Sequence, residues 1–170
     1  MPVALHKLPA WNEGELVNVV VECPKGCRNK YKFDEQAEVW RLSKILPLGA
    51  CFPFDFGFIP STRGPDGDPI DAIVLSADPA FPGCVLPARL IGVIEAEQTE
   101  HGKTFRNDRV VAVVETEHNP PPFQSLAEVP EWMLREIEHF FISYNTVEGR
   151  GFRVLGRLGP DGAERLVRGA

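Results

Sequence analysis

The chain has 170 residues, 44% hydrophobic and 25% charged, with a formal net charge of −6. That length buries a core without disulfide or metal staples and most simply makes one domain over residues 1–170. The composition is globular, the acidic balance speaks against nucleic-acid binding through a broad basic face, and no apolar run approaches the ~20 residues of a membrane-spanning helix.

Residues 1–15 lack a basic start followed by an apolar core, so no signal peptide is expected and a cytoplasmic location follows. Cys23, Cys27, Cys51 and Cys84 are then expected as reduced thiols. Cys23 and Cys27 have no second Cys/His pair at zinc-finger spacing, so two small thiols fit better than a zinc site.

In chain order, residues 16–22 (LVNVVVE) are β-branched and bounded by Gly14 and Pro24, which reads as a strand. Residues 30–34 and 38–42 flank a short polar turn and predict a hairpin. Residues 52–60 are aromatic and broken by Pro and Gly, so irregular or a short strand; 61–69 are a Gly-, Pro- and Asp-rich loop. Residues 70–76 predict a strand, 85–95 a long strand containing Gly92, 98–103 a turn, and 109–115 another strand. Residues 118–122 hold three consecutive prolines and break the pattern. Residues 130–147 predict the one helix: Pro130 suits a first-turn position, Glu131 favours the positive end of the helix dipole, and apolar residues at 133, 134, 137, 140, 141 and 144 form one stripe. Residues 152–158 predict a last strand, followed by a polar tail. Many short strands with turns every eight to twelve residues suggest a small barrel or strongly bent sheet with one helix packed on it.

The most informative stretch is Asp66-Gly67-Asp68-Pro69-Ile70-Asp71, which places three carboxylates directly ahead of the apolar run Ala72-Ile73-Val74-Leu75. Acids this close repel unless a cation sits among them. Hard oxygen ligands suit Mg²⁺, Mn²⁺ or Ca²⁺ rather than zinc. An EF-hand is excluded, because counting from Asp66 its sixth and twelfth positions are Asp71 and Ala77 rather than Gly and Glu. Residue chemistry alone leaves two readings open: a solvated acidic turn, or a metal site on a core-anchored strand.

The stretch resembles the D-G-D-P-x-D signature of the soluble family I inorganic pyrophosphatases. The segment from Glu22 through Pro24-Lys25-Gly26 to Asn29-Lys30-Tyr31 is similar to a second family motif, and Phe52-Pro53 with Phe56-Gly57-Phe58-Ile59-Pro60 to a third. His139-Phe140-Phe141 and Tyr144 match the family's late helix. The resemblance implies an α+β, mainly β fold: a five-stranded OB-like closed barrel with peripheral helices. It implies Mg²⁺-dependent hydrolysis of pyrophosphate, with Mn²⁺ as a possible substitute. Asp66 and Asp71 would be metal ligands and Asp68 the general base. Lys30, Arg41 and Tyr144 would bind phosphate, with Glu22 near the site. Bacterial members are typically hexamers, so a homo-oligomer is expected. His139, and with it Trp132 and Phe141, is read as packing or an oligomer contact.

Several positions depart from the family pattern. Gln98 and Asn107 stand where the family has aspartates, unless the register slips by one and the neighbouring Glu97 or Asp108 compensates. Arg109 replaces a lysine, Lys32 a glutamate, Phe56 a tyrosine and Asn145 a lysine; Arg150 stands in for a more distal lysine. Asn107 still offers a neutral carbonyl oxygen to a metal. Two kinds of function therefore remain: a diphosphatase, on pyrophosphate or a related phosphoanhydride, or a noncatalytic relative that binds a phosphorylated ligand or a partner.

Overall fold

The structure, a computed structural model, describes residues 5–34 and 36–170. Strand β1 (Val17–Cys23) is the β-branched run, and apart from Asn18 it is buried on both faces. Strands β2 (Asn29–Asp34) and β3 (Val39–Ile45) form the expected hairpin as a separate two-stranded sheet. The main sheet holds β4 (Asp55–Phe58), β5 (Asp71–Leu75), β6 (Val85–Glu100), β7 (Lys103–Arg106), β8 (Arg109–Val114) and β9 (Gly151–Leu158) together with β1. Helix α1 (Glu131–Val147) precedes β9 and helix α2 (Pro160–Arg168) follows it.

Pairing runs β1-β4-β5-β8-β6, and β6 pairs again with β1. Only β5–β8 is parallel within that circuit. Gly57 permits the β1–β4 contact, since a Cβ there would lie 1.9 Å from the Val20 carbonyl oxygen. Strand β6 is long because it bulges after Leu90 and again after Glu95, then continues past the circuit to pair with β7 and β9.

Alternation along the strands sorts side chains between two cores. Ala72 and Val74 of β5, with Val110 and Ala112 of β8, join one that α2 closes with Ala163 and Val167. Ile73, Leu75, Val111 and Val113 join the other, which receives Leu134, Ile137 and Phe141 from α1. Each large apolar side chain so buried contributes about 1.5–3 kcal/mol. Arg157 of β9 further ties α1 down, donating at 2.7 Å to both Glu138 and Glu131.

The helix stripe is as expected, although Pro130 caps the helix rather than entering its first turn. Three expectations are corrected. The strand expected over 85–95 runs to Glu100, so the turn expected over 98–103 shrinks to His101-Gly102, and β7 follows it. The tail after residue 158 is not a polar extension but helix α2. Pro160 stands in its first turn with Asp161, and Ala163 and Val167 fall on one buried face. Phe141 is core, so of the two aromatics considered for an interface only Trp132 is exposed, at 60%. No helix among the described residues is long and apolar enough to cross a membrane.

Candidate active site

The loop ahead of β5 presents the acids. Gly64 N–H donates to the Asp68 carbonyl at 2.7 Å, and Gly67 N–H to the Gly64 carbonyl at 3.0 Å. Gly67 sits at φ +88°, where a side chain is strained. Thr62 anchors the loop base: its hydroxyl donates to the Ile59 carbonyl and accepts from Ile70 N–H. Asp66 Oδ1 accepts from Asp68 N–H at 3.1 Å, an Asx turn that brings these two acids onto one loop face. Asp71 opens β5, so its backbone is fixed by pairing with Phe58 of β4.

All three acids line one cavity of about 860 Å³, together with Glu22, Lys30, Lys32, Gln98, Glu100, Asn107, Arg109, Tyr144, Asn145 and Arg150. Burial raises the Asp66 pKa, and the like charges of Asp68 and Asp71 add to it against the Asp68 N–H bond. Glu22, at the end of β1, is pushed up to about 7 by burial. For Lys30, burial works against the charge, but Tyr144, Asp71 and Glu22 outweigh it and raise its pKa. Its ammonium lies 5.7 Å from the Phe56 ring centroid and 5.9 Å from that of Tyr144. The buried Tyr144 hydroxyl has no hydrogen-bond partner among the described residues.

Six of the seven site residues expected from the sequence thus share a cavity: Asp66, Asp68, Asp71, Asn107, Lys30 and Tyr144. Arg41 does not join them. It lies on the β2–β3 hairpin, its side chain 62% exposed, and donates at 2.6 Å to Asp34 across the same hairpin. Of the two register alternatives, Glu97 is engaged by Arg153 and lines no part of this cavity. Asp108 accepts from Ala96 N–H and Arg106, and lines an adjoining cavity with Asp66, Asp71 and Asn107.

What sequence reasoning missed is the role of Arg109. Its side chain, 7% exposed, is ion-paired through Nη1 with Asp71 and donates at 2.5 Å to Asn107 Oδ1. Its guanidinium carbon lies 5.3–5.8 Å from the ring centroids of Phe56, Phe141 and Phe152. Asn107 in turn donates at 2.9 Å to Gln98, and Gln98 at 3.4 Å to Glu100, which also meets Arg150 at 3.1 Å. The available signal was a cation heading the otherwise apolar run Arg109–Val114. Asn145 is equally occupied: it is 2% exposed and donates to the Phe141 carbonyl of its own helix.

The donor set of Asp66, Asp68, Asp71 and the Asn107 carbonyl is oxygen only, the chemistry hard divalent cations require. Among the described residues, however, no group of three or more His, Cys, Asp or Glu stands ready to hold a metal. The acids converge on a cavity rather than on a point, and Asp71 already has a cation in Arg109.

Comparison with known proteins fits this geometry. A family model described as inorganic pyrophosphatase matches residues 19–170. An inorganic pyrophosphatase of Methanosarcina acetivorans is 35% identical over 93% of this chain and 92% of its own length. One of Thermus thermophilus is 37% identical over 89% of this chain and 87% of its own. A crystal structure of the inorganic pyrophosphatase from Thermus thermophilus superposes with a TM-score of 0.89 at 34% identity, covering 98% of this chain and 95% of that one. The family implies a divalent metal cofactor, which the oxygen donors around Asp71 suit. The chain belongs to the family I inorganic pyrophosphatases.

Proposed function

We propose that this protein hydrolyses inorganic pyrophosphate to two phosphates with Mg²⁺ as its cofactor and Mn²⁺ as a substitute. The observation that carries the reading is one cavity lined both by three acids, Asp66, Asp68 and Asp71, and by anion-binding groups, Lys30, Arg150 and the unpartnered Tyr144 hydroxyl. Asp66 and Asp71, with the Asn107 carbonyl, would hold the cation. When bound, a divalent ion neutralises phosphate oxygens and makes a water more acidic.

Asp68 orients the attacking water and takes its proton. Like Asp66 it is exposed on the loop and has no ion-pair partner among the described residues, so its carboxylate is open to a water. Lys30 and Arg150 offset the charge of the phosphates, and Tyr144 donates a hydrogen bond to one of them. Phe56 has no hydroxyl to add. Arg41 lies on the hairpin outside this cavity, paired with Asp34.

The return of the strand pairing to β1 supports an OB-like closed barrel. The exposed Trp132 on α1 supports a homo-oligomer, a hexamer by family resemblance, and the absence of a spanning helix among the described residues fits a cytoplasmic location. The engagement of Asp71 by Arg109 favours one competing reading, a noncatalytic phosphate binder. Phosphate release from pyrophosphate separates the two. The enzyme releases phosphate with Mg²⁺ and stops on chelation; a pure binder releases none under either condition.

A further inference from the structure

Four of the positions set against the family pattern, Gln98, Asn107, Arg109 and Arg150, are physically joined through Glu100. Arg109 meets Asn107, Asn107 meets Gln98, Gln98 meets Glu100, and Glu100 meets Arg150. Phe56, the tyrosine replacement, is one of three rings around the Arg109 guanidinium. These contacts form a single polar relay. At its head stands a charged group more than nine-tenths buried, ion-paired with Asp71.

We propose that Arg109 is a resident counterion of the acidic site, competing with divalent metal for Asp71. This rests on the reading of Asp71 as a metal ligand. A guanidinium is never deprotonated at working pH, so it cannot yield its place by losing a proton. Nor can it swing freely away, since Phe56, Phe141 and Phe152 surround it. A metal ion approaching Asp71 therefore meets a fixed positive charge and a carboxylate oxygen already in use. Arg109 Nε is buried and has no hydrogen-bond partner among the described residues. Arg109 is thus a positioning residue: it holds Asp71 and Asn107 in the resting protein and sets how readily metal enters.

The test is metal binding, read without turnover. Mn²⁺ is titrated calorimetrically into the full chain and into Arg109→Gln, with circular dichroism as the folding control. The variant is expected to bind Mn²⁺ at least tenfold more tightly; equal or weaker binding overturns the proposal. Wild-type protein gives a second readout should the variant not fold. The Arg109 Nε–H resonance, assigned by ¹⁵N NMR, is expected to move as Mg²⁺ is added; a resonance unmoved at saturating Mg²⁺ overturns it. Failure of metal to bind either protein overturns both this proposal and the metal-dependent reading, whereas tight metal binding unaffected by Arg109 overturns this proposal alone.

Discussion

Arg109 and Asp71 form an ion pair in which the cation is the more deeply buried partner, 7% exposed against 27% for the carboxylate. The strands they head, β8 and β5, are parallel neighbours, with Val110 opposite Ala72. That parallel register sets two strand-initial side chains beside each other at one end of the sheet. The pair is therefore both a structural clasp and the edge of the acidic site.

Removing one partner should be costly, because it strands a partly buried carboxylate and empties the space among three rings. Arg109→Met is expected to lose about 3 kcal/mol. Urea unfolding in the presence of a chelator measures this. Asp71→Asn on the same background should recover part of the loss, which a double-mutant cycle detects as coupling between the two sites.

Gly57 tests the strand circuit. With the Val20 carbonyl oxygen 1.9 Å from the position of an added Cβ, backbone must move to admit even alanine. Gly57→Ala is expected to destabilise by about 3 kcal/mol or more. A thermal melt unchanged from wild type would contradict the β1–β4 register.

Glu22 supplies a pH signature in metal-free protein. Burial raises its folded pKa from 4.5 to about 7. Between those values the native state holds more protons than the unfolded chain, so this group's contribution to stability falls as pH rises from about 4.5 to about 7 and is level above. The magnitude is of order 3 kcal/mol. Glu22→Gln should therefore gain stability over wild type progressively between pH 5 and pH 7.5. Urea midpoints at the two ends check it; an advantage that does not grow with pH contradicts the buried placement.

Asn107 and Gln98 share an amide hydrogen bond in place of charge. Converting both to aspartate breaks that bond and sets two carboxylates against each other. Asn107→Asp with Gln98→Asp is expected to raise Mn²⁺ affinity about tenfold, since each charge-assisted contact is worth roughly 1.5–3 kcal/mol. Calorimetric titration measures it; unchanged affinity would mean that these two positions do not face the metal.

How much was legible in the sequence depended on the range of the interaction. The α1 stripe and the strands β1, β5 and β8 were readable because local periodicity and apolar runs report which faces are buried. Helix α2 was not, because Gly159, Pro160 and Gly162 resemble a breaker; Pro160 in a first turn and the pair Ala163 and Val167 were the weaker opposing signal. The end of β6 was lost in the same way, as bulges after Leu90 and Glu95 disturb its alternation. Within the site, the spacing of Asp66, Asp68 and Asp71 was visible because it is local. The Arg109–Asp71 pair spans 38 residues and depends on strand order, which no spacing reports. The placement of Arg41 outside the cavity was hidden for a related reason: residue type suited phosphate, and its pairing with Asp34 depends on the hairpin register.

In the proposed reaction the acidic loop performs hydrolysis, with Asp68 as the base. The most direct measurement is phosphate release from pyrophosphate in Mg²⁺ by wild type and by Asp68→Asn, with matched thermal melts. Asparagine keeps the shape and the backbone bonds of the loop but cannot take a proton. The account predicts release by wild type and a fall of about 10²–10⁴-fold in the variant at unchanged stability. No release by wild type, or equal release by both proteins, would contradict it.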